Sequence, residues 1–518
     1  MKASIIGATV SVLLSLCPTK LAWALDGAPY IHDPSTVMEC AGKFYTFGTG
    51  GGGLISDDGW TWRSGAVRPG GGAAPDVIKI GDRYLVAYGS TGGGLGGGHS
   101  GRILTMWNKT LDPQSPDFKY SEPVVVASSD GVEDCDAIDP SFLLDPTDGR
   151  LWLTYGTYFG FIRLVELDPK TGRRVEGNQP VNIAIDCEAT ALIFRDGWYY
   201  LLGTHGTCCD GANSTYNIRV GRSQKVTGPY LDHVGIDMLR GGGKLVVAAN
   251  GRLIGPGHFG RMDLGDGAEK FSSHYEADLD RGGRSVLDIR ALLWKDGWPV
   301  AGDNFTGGTC VIESERSGYV LELTVDFMRM AGFRRGGFGG PGGMMGPGGP
   351  SGTNAPGADN LGGGPGMGGG PGSRGPMGPV TPVALQTLAD MSTNWPDGPI
   401  DVRIGDYMLR PHQKWTITMV TNVGGYLGSP YFKISLAGTE RVLAASEEAE
   451  VVTVPAFTGA PEQLWRIDQL TDGTYRIMPK AVPHSQEPLA LTAVGSSTPT
   501  LEKFDARSAN ARWNFKSP

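Results

Sequence analysis

Up to about residue 330 the apolar positions come in short runs bounded by Gly, Asp and Pro, and helical spacing is hard to find. One pattern repeats there: a tight turn, then an aromatic-rich run, then a small residue. It reads Ala41-Gly42-Lys43-Phe44-Tyr45-Thr46-Phe47-Gly48, then Gly81-Asp82-Arg83-Tyr84-Leu85-Val86-Ala87-Tyr88-Gly89. It returns at Asp148-Gly149, Asp196-Gly197 and Asp296-Gly297, each time ahead of Trp, Tyr or Leu. Asp-Gly supplies the positive φ angles that a two-residue hairpin turn demands. Apolar strands precede the last three turns: Phe142-Leu143-Leu144, Ala191-Leu192-Ile193-Phe194 and Ala291-Leu292-Leu293-Trp294. Five such hairpins predict an all-β fold closed by radial repetition, a five-bladed β-propeller, with a β-sandwich of similar length as the rival. About 100 residues separate the last two hairpins, so that interval must hold long loops or an unrecognised strand pair.

The pattern then changes. From Gly332 to Gly378 roughly half the residues are Gly, with Pro and Met between them, which is linker composition. Beyond it Trp415, Trp465 and Trp513 recur at separations of 50 and 48, in the contexts Gln413-Lys414-Trp415, Gln463-Leu464-Trp465 and Ala511-Arg512-Trp513. Three near-equal units predict a threefold fold. The expected organisation is a leader over 1–24, a propeller over 25–331, a Gly/Pro-rich linker over 332–380 and a second β domain over 381–518. With 518 residues and roughly 150 per domain, the length accommodates this division.

Charge narrows the partners. Lys and Arg number 45 against 54 Asp and Glu, for a net charge of −9. Such a chain has no basic field for nucleic acid or anionic lipid, and neither is expected as a partner. Met1-Lys2, the apolar stretch Ile5 to Leu16 and the small-x-small site Ala22-Trp23-Ala24 read as a signal peptide cut before Leu25, so the mature chain is expected to be secreted or periplasmic. The apolar run is too short to span a bilayer comfortably. Six cysteines then remain: Cys40, Cys135, Cys187, Cys208, Cys209 and Cys310. They permit disulfides in an oxidising compartment, with 15 possible pairings. A zinc site would need a second ligand pair at close spacing, and none is visible beside Cys208-Cys209.

Three carboxylates sit in unusual settings: Asp33 in Ile31-His32-Asp33-Pro34-Ser35, Asp139 in Ala137-Ile138-Asp139-Pro140-Ser141, and Glu188 in Cys187-Glu188-Ala189 ahead of an apolar strand. In a propeller the innermost strands line the axis, so acids at the starts of three blades converge at one mouth. Glycosidic cleavage needs that arrangement, with one carboxylic acid to protonate the leaving oxygen and one carboxylate to activate water or attack carbon. Glu188, beside an apolar run, is the natural protonated partner. Taken singly, Asp-Pro dipeptides are more often turn formers, and a Glu before a buried strand can serve a salt bridge.

These motifs, in this order, resemble the three acidic motifs of glycoside hydrolase family 43. The stretch from Cys208 through Ser214-Thr215-Tyr216 to Ser223, with Gly255-Pro256-Gly257-His258 and Asp288-Ile289-Arg290, is similar to that of the arabinan endo-1,5-α-L-arabinanases. The resemblance implies a five-bladed propeller, an inverting hydrolase of arabinan or of arabinose-containing pectin or hemicellulose, a general base at Asp33, a general acid at Glu188, and Asp139 tuning that acid. Inversion implies a separation of about 6.5–9.5 Å between the Asp33 and Glu188 carboxyls. The resemblance also points to His32 and Arg290 as substrate-binding residues and to His258 near a calcium ion reached through water. An exo-acting α-L-arabinofuranosidase or β-xylosidase is the first alternative and a non-catalytic carbohydrate-binding propeller the second. Ala73-Ala74-Pro75-Asp76 departs from the family's Trp-Ala-Pro-Asp and lacks its sugar-stacking aromatic. The C-terminal Gln-x-Trp units resemble ricin-type β-trefoil lectin domains, in which the motif belongs largely to the core, so it supports the fold more than sugar binding.

Overall fold

The computed structural model describes residues 25–90, 100–131, 134–251, 253–316, 318–324, 395, 397–494 and 499–518. The expected leader, the Gly-rich segment 332–380 and the Gly92–Gly98 loop lie outside the described residues.

Five sheets follow one another in the chain, each a run of antiparallel neighbours. The first holds Met38–Cys40, Lys43–Phe47, Gly52–Ser56 and Thr61–Val67, with Asp26–Gly27 added in parallel at its outer edge. The others span Ala73–Asp130, Ser141–Ala184, Glu188–Val247 and Ile254–Ala301, four strands each. This is the five-bladed propeller. The ring closes through the N-terminal segment, which meets blade 5 before entering blade 1: Ile31 N donates to Ser285 O at 3.2 Å and Leu287 N to Pro29 O at 2.8 Å. Positive φ falls at Gly42, Gly81, Gly149, Gly197 and Gly297 as the sequence predicts; four of these turns hold two residues, whereas at Asp148-Gly149 the strands pair only up to Leu144 and Leu151 and the connection is longer. Between adjacent blades the alternate residues pack together, for example Leu85, Ile103, Leu151, Leu153 and Val165.

The hairpin at Asp296-Gly297 joins the two outer strands of blade 5, Arg284–Lys295 and Trp298–Ala301. The long interval before it holds the outer half of blade 4 and the inner hairpin of blade 5, Ile254–Asp263 with Glu269–Ala277. That inner hairpin lacks the apolar signature because Glu269, Lys270, Ser272, Ser273 and His274 are all buried in it.

The C-terminal domain is a β-trefoil in which each repeat Trp is fully buried. Trp415, Trp465 and Trp513 donate Nε1–H to the carbonyls of Leu321 (2.8 Å), Leu443 (3.0 Å) and Leu491 (2.8 Å). In repeats two and three that donor and acceptor are 22 residues apart; in repeat one they are 94 apart. The boundary expected at 331 is therefore displaced. Gly308–Ser314 and Val320–Leu323 belong to the trefoil, pairing with Trp415–Met419, Trp513–Lys516 and Ile400–Gly405. The Gly-rich sequence is an insertion between the paired strands Val320–Leu323 and Ile400–Gly405, where the other repeats join the corresponding strands through only the residues 446–450 and 493–499, and it does not join the two domains. The trefoil docks on the turns at 57–60 and 264–268. Leu427 N donates to Asp58 O, Thr471 N to Gly267 O, and buried Lys270 reaches Leu427 O and Asp468. These turns lie at the ends of the strands opposite to the three acids.

Candidate active site

Each inner strand is entered through a residue in the left-handed region: Asp33 (φ 52°), Ala74 (45°), Asp139 (53°), Ala189 (46°) and His258 (62°). L-residues avoid this conformation, and Asp tolerates it better than most. In blades 1, 2 and 3 the next residue is Pro, which disfavours the right-handed alternative for its predecessor. The pairing is bulged just here in blades 2, 4 and 5, and bulges re-aim side chains. One kinked entry per blade gathers Pro34, Asp76, Asp139, Ala189, Thr190 and His258 around a small axial cavity.

Asp33 is partly buried and heavily engaged. Its Oδ1 lies 3.0 Å from His32 Nδ1 and 3.2 Å from His258 Nδ1, and its Oδ2 accepts from Thr49 Oγ1 at 2.6 Å. The Ala74 amide in turn donates to Thr49 Oγ1 at 2.9 Å, fixing that hydroxyl. Burial pushes the Asp33 carboxyl up, but His258 and then His32 outweigh it and hold it well below the usual carboxylate range. His274 receives the Asp33 amide on Nδ1 at 3.3 Å, so that nitrogen is unprotonated. Burial, followed by the neighbouring His32, keeps the His274 imidazole neutral, with its pKa down at about 3.

Glu188 is in the opposite condition. Burial is the largest cause of a pKa raised to about 7; the Tyr216 hydroxyl, which donates to Glu188 Oε1, opposes this and the Asp33 charge adds to it. Asp139 is buried beside it and is raised well above its ordinary value by burial and then by Glu188 and Asp33. Asp139 Oδ2 accepts the Ala189 amide at 3.2 Å, which ties it to the residue following Glu188. The site thus holds one ionised carboxylate and two that favour the proton. Asp76, raised by burial, accepts from Thr36 N, Ser141 Oγ and Phe142 N at 3.1, 3.2 and 2.9 Å, pinning the inner strands of blades 1, 2 and 3 together.

Of the residues singled out in the sequence, Asp33, His32, Asp139, Glu188 and His258 come together. Arg290 does not join them. It lies in the third strand of blade 5, where its guanidinium is bonded to Gly302 O at 2.8 Å and Asp303 at 3.0 Å. Thr49, Tyr216 and His274 were missed. Tyr216 sits inside the arabinanase-like stretch, and Ser272-Ser273-His274 betrays itself as polar residues where a blade strand should be apolar. Cys208 and Cys209 are bonded to each other, and Cys40, Cys135, Cys187 and Cys310 are buried. His258 offers a calcium ion one imidazole, and among the described residues it joins no set of three metal-ligating side chains. Calcium takes six to eight oxygens, so the protein groups alone do not make its cage.

A family model described as glycosyl hydrolases family 43 matches residues 37–299, and one described as ricin-type beta-trefoil lectin domain-like matches residues 411–499. The extracellular exo-alpha-(1->5)-L-arabinofuranosidase ArbA of Cellvibrio japonicus is 32% identical over 304 residues, 52% of this chain and 85% of that protein. The extracellular endo-alpha-(1->5)-L-arabinanase 1 of Bacillus subtilis is 31% identical over 317 residues, 56% of this chain and 93% of that one. An exo-1,5-alpha-L-arabinanase crystal structure from a bovine ruminal metagenomic library has 34% identity and a TM-score of 0.49, covering 54% of this chain and 99% of its own.

Proposed function

The chain belongs to glycosyl hydrolases family 43, and from that membership we propose an exported, inverting hydrolase of α-1,5-linked L-arabinofuranosyl polymers. Asp33 is the general base, Glu188 the general acid, and Asp139 a positioning residue that acts through the Glu188–Ala189 backbone. The observation that carries this reading is the division of protonation across one pit: Asp33 held ionised, Glu188 raised to about 7. An ionised Asp33 takes a proton from water as it attacks the anomeric carbon. Protonated Glu188 gives its proton to the departing glycosidic oxygen. Both curated relatives are named for alpha-(1->5)-L-arabinosyl linkages, one as an exo-acting arabinofuranosidase and one as an endo-acting arabinanase, at nearly equal identity. Their names also carry the word extracellular, in keeping with the leader read at residues 1–24; among the described residues no helix is long and apolar enough to cross a membrane.

Debranched arabinan is the test substrate. Wild type releases reducing ends, and Asp33→Asn and Glu188→Gln each lose on the order of a hundredfold or more in kcat. Equal hydrolysis by all three proteins overturns the assignment and leaves the carbohydrate-binding alternative. Early products decide the mode: an oligomer ladder means endo cleavage, a lone monosaccharide exo. The trefoil is proposed to bind polysaccharide on the face of the propeller away from the acids.

A further inference from the structure

Two adjacent cysteines and a histidine 177 residues away meet at the rim of the pit. His32 Nε2 lies 3.8 Å from Cys209 Sγ. The other ring nitrogen of His32 is the one facing Asp33, at 3.0 Å. A carboxylate against one imidazole nitrogen, with the second turned toward soft donors, is the arrangement that orients histidine as a metal ligand. The ligand atoms of His32, Cys208 and Cys209 all lie within 4.8 Å of one another. In the sequence the cysteine pair lacks a second pair of ligands; the fold supplies His32 from another blade.

As the disulfide, the two sulfurs carry no thiolate and ligate nothing. We propose that Cys208, Cys209 and His32 form a redox-gated site for a soft divalent cation of the zinc or cadmium class. The gate is the disulfide bond. A phosphine with one water, or a pair of reductant thiols, delivers two electrons and two protons; the S–S bond breaks and two thiols form, while the phosphine takes up the water's oxygen as its oxide or the reductant thiols become their disulfide. The cation then displaces both thiol protons. Two thiolates neutralise its charge, the neutral imidazole completes three protein ligands, and a fourth position is left to solvent. Cys209 is exposed and Cys208 half-buried, so reductant and ion both have access, whereas Cys40, Cys135, Cys187 and Cys310 are buried.

The test uses the mature full-length protein and Cd2+ alone, after reduction with a water-soluble phosphine that is then removed, and reads both equilibrium dialysis and the ultraviolet cadmium–thiolate charge-transfer band. One ion per chain is expected on reduced wild type, with no band on the oxidised protein. The double variant Cys208→Ser, Cys209→Ser should show no band, and His32→Ala or His32→Gln should weaken binding by at least about tenfold. Equal binding by the oxidised protein removes the gate, and undiminished binding by both His32 variants removes His32 as a ligand; either result overturns the proposal. The oxidised-against-reduced comparison needs no variant, so it decides the gate even if the His32 variants fail to fold.

Discussion

Replacing Glu188 by Gln should abolish hydrolysis and, at alkaline pH, make the protein more stable. Glu188 is buried, and its pKa rises from an ordinary 4.5 to about 7. Between those values the folded chain holds a proton that the unfolded chain has released. Stability therefore falls as pH rises through this window, and the full loss is present above the folded value. At about 1.4 kcal/mol for each tenfold, the difference amounts to about 3 kcal/mol for an isolated group. Gln cannot ionise, keeps the volume and still offers Tyr216 an oxygen. Wild type and Glu188→Gln are compared by denaturant unfolding at about pH 4 and about pH 8.5, below and above the window. The variant should gain on the order of 3 kcal/mol relative to wild type between the two conditions, while its arabinan hydrolysis is lost at both. A stability difference that stays the same at both pH values, or that favours wild type at the higher one, refutes the claim that burial keeps this carboxyl protonated.

Tyr216→Phe removes the hydrogen bond that opposes the rise in Glu188; a bond to a charged group is worth about 1.5–3 kcal/mol, so the alkaline limb of kcat/KM should move up by about one to two pH units. An unmoved limb in the pH–rate profile counts against Tyr216 acting on the acid. Replacing the sequence between Leu323 and Gly398 by a turn of the length used in the other two repeats should leave both domains folded and associated, read by gel filtration and a single unfolding transition; dissociation would show the segment to be the tether it is not proposed to be. Trp465→Ala, which empties a fully buried site and orphans the Leu443 carbonyl, should cost about 3–5 kcal/mol, seen as a lower denaturation midpoint without change in the catalytic pH profile. Removal of calcium by a chelator should lower the midpoint or the activity if a water-bridged ion sits by His258, and readdition should restore it; no response to chelation ends the calcium proposal.

Turn chemistry and alternation fixed much of this protein in its linear order. Ala41-Gly42 and the Asp-Gly or Gly-Asp turns at 81–82, 148–149 and 196–197 marked four inner hairpins of the propeller, and the Trp415, Trp465 and Trp513 spacing marked the trefoil, because both are local signals carried by residues close in the chain. Asp33, Asp139 and Glu188 were legible for a related reason: each stands at a blade entry where the backbone must kink, and in two of them a following Pro advertises the kink. The inner hairpin of blade 5 escaped notice because its buried residues are polar, a choice that makes sense only once His274 is seen against Asp33. Tertiary structure alone decided which carboxylate is ionised, since His258 and His32 outweigh burial at Asp33, whereas at Glu188 burial and the Asp33 charge outweigh Tyr216 and His32. It also moved Arg290 off the site, brought His32 to Cys209 across 177 residues, and turned an apparent linker into an insertion. Contacts of that range depend on how the propeller closes and on which strands complete the trefoil, and neither leaves a mark in the spacing of residues along the chain.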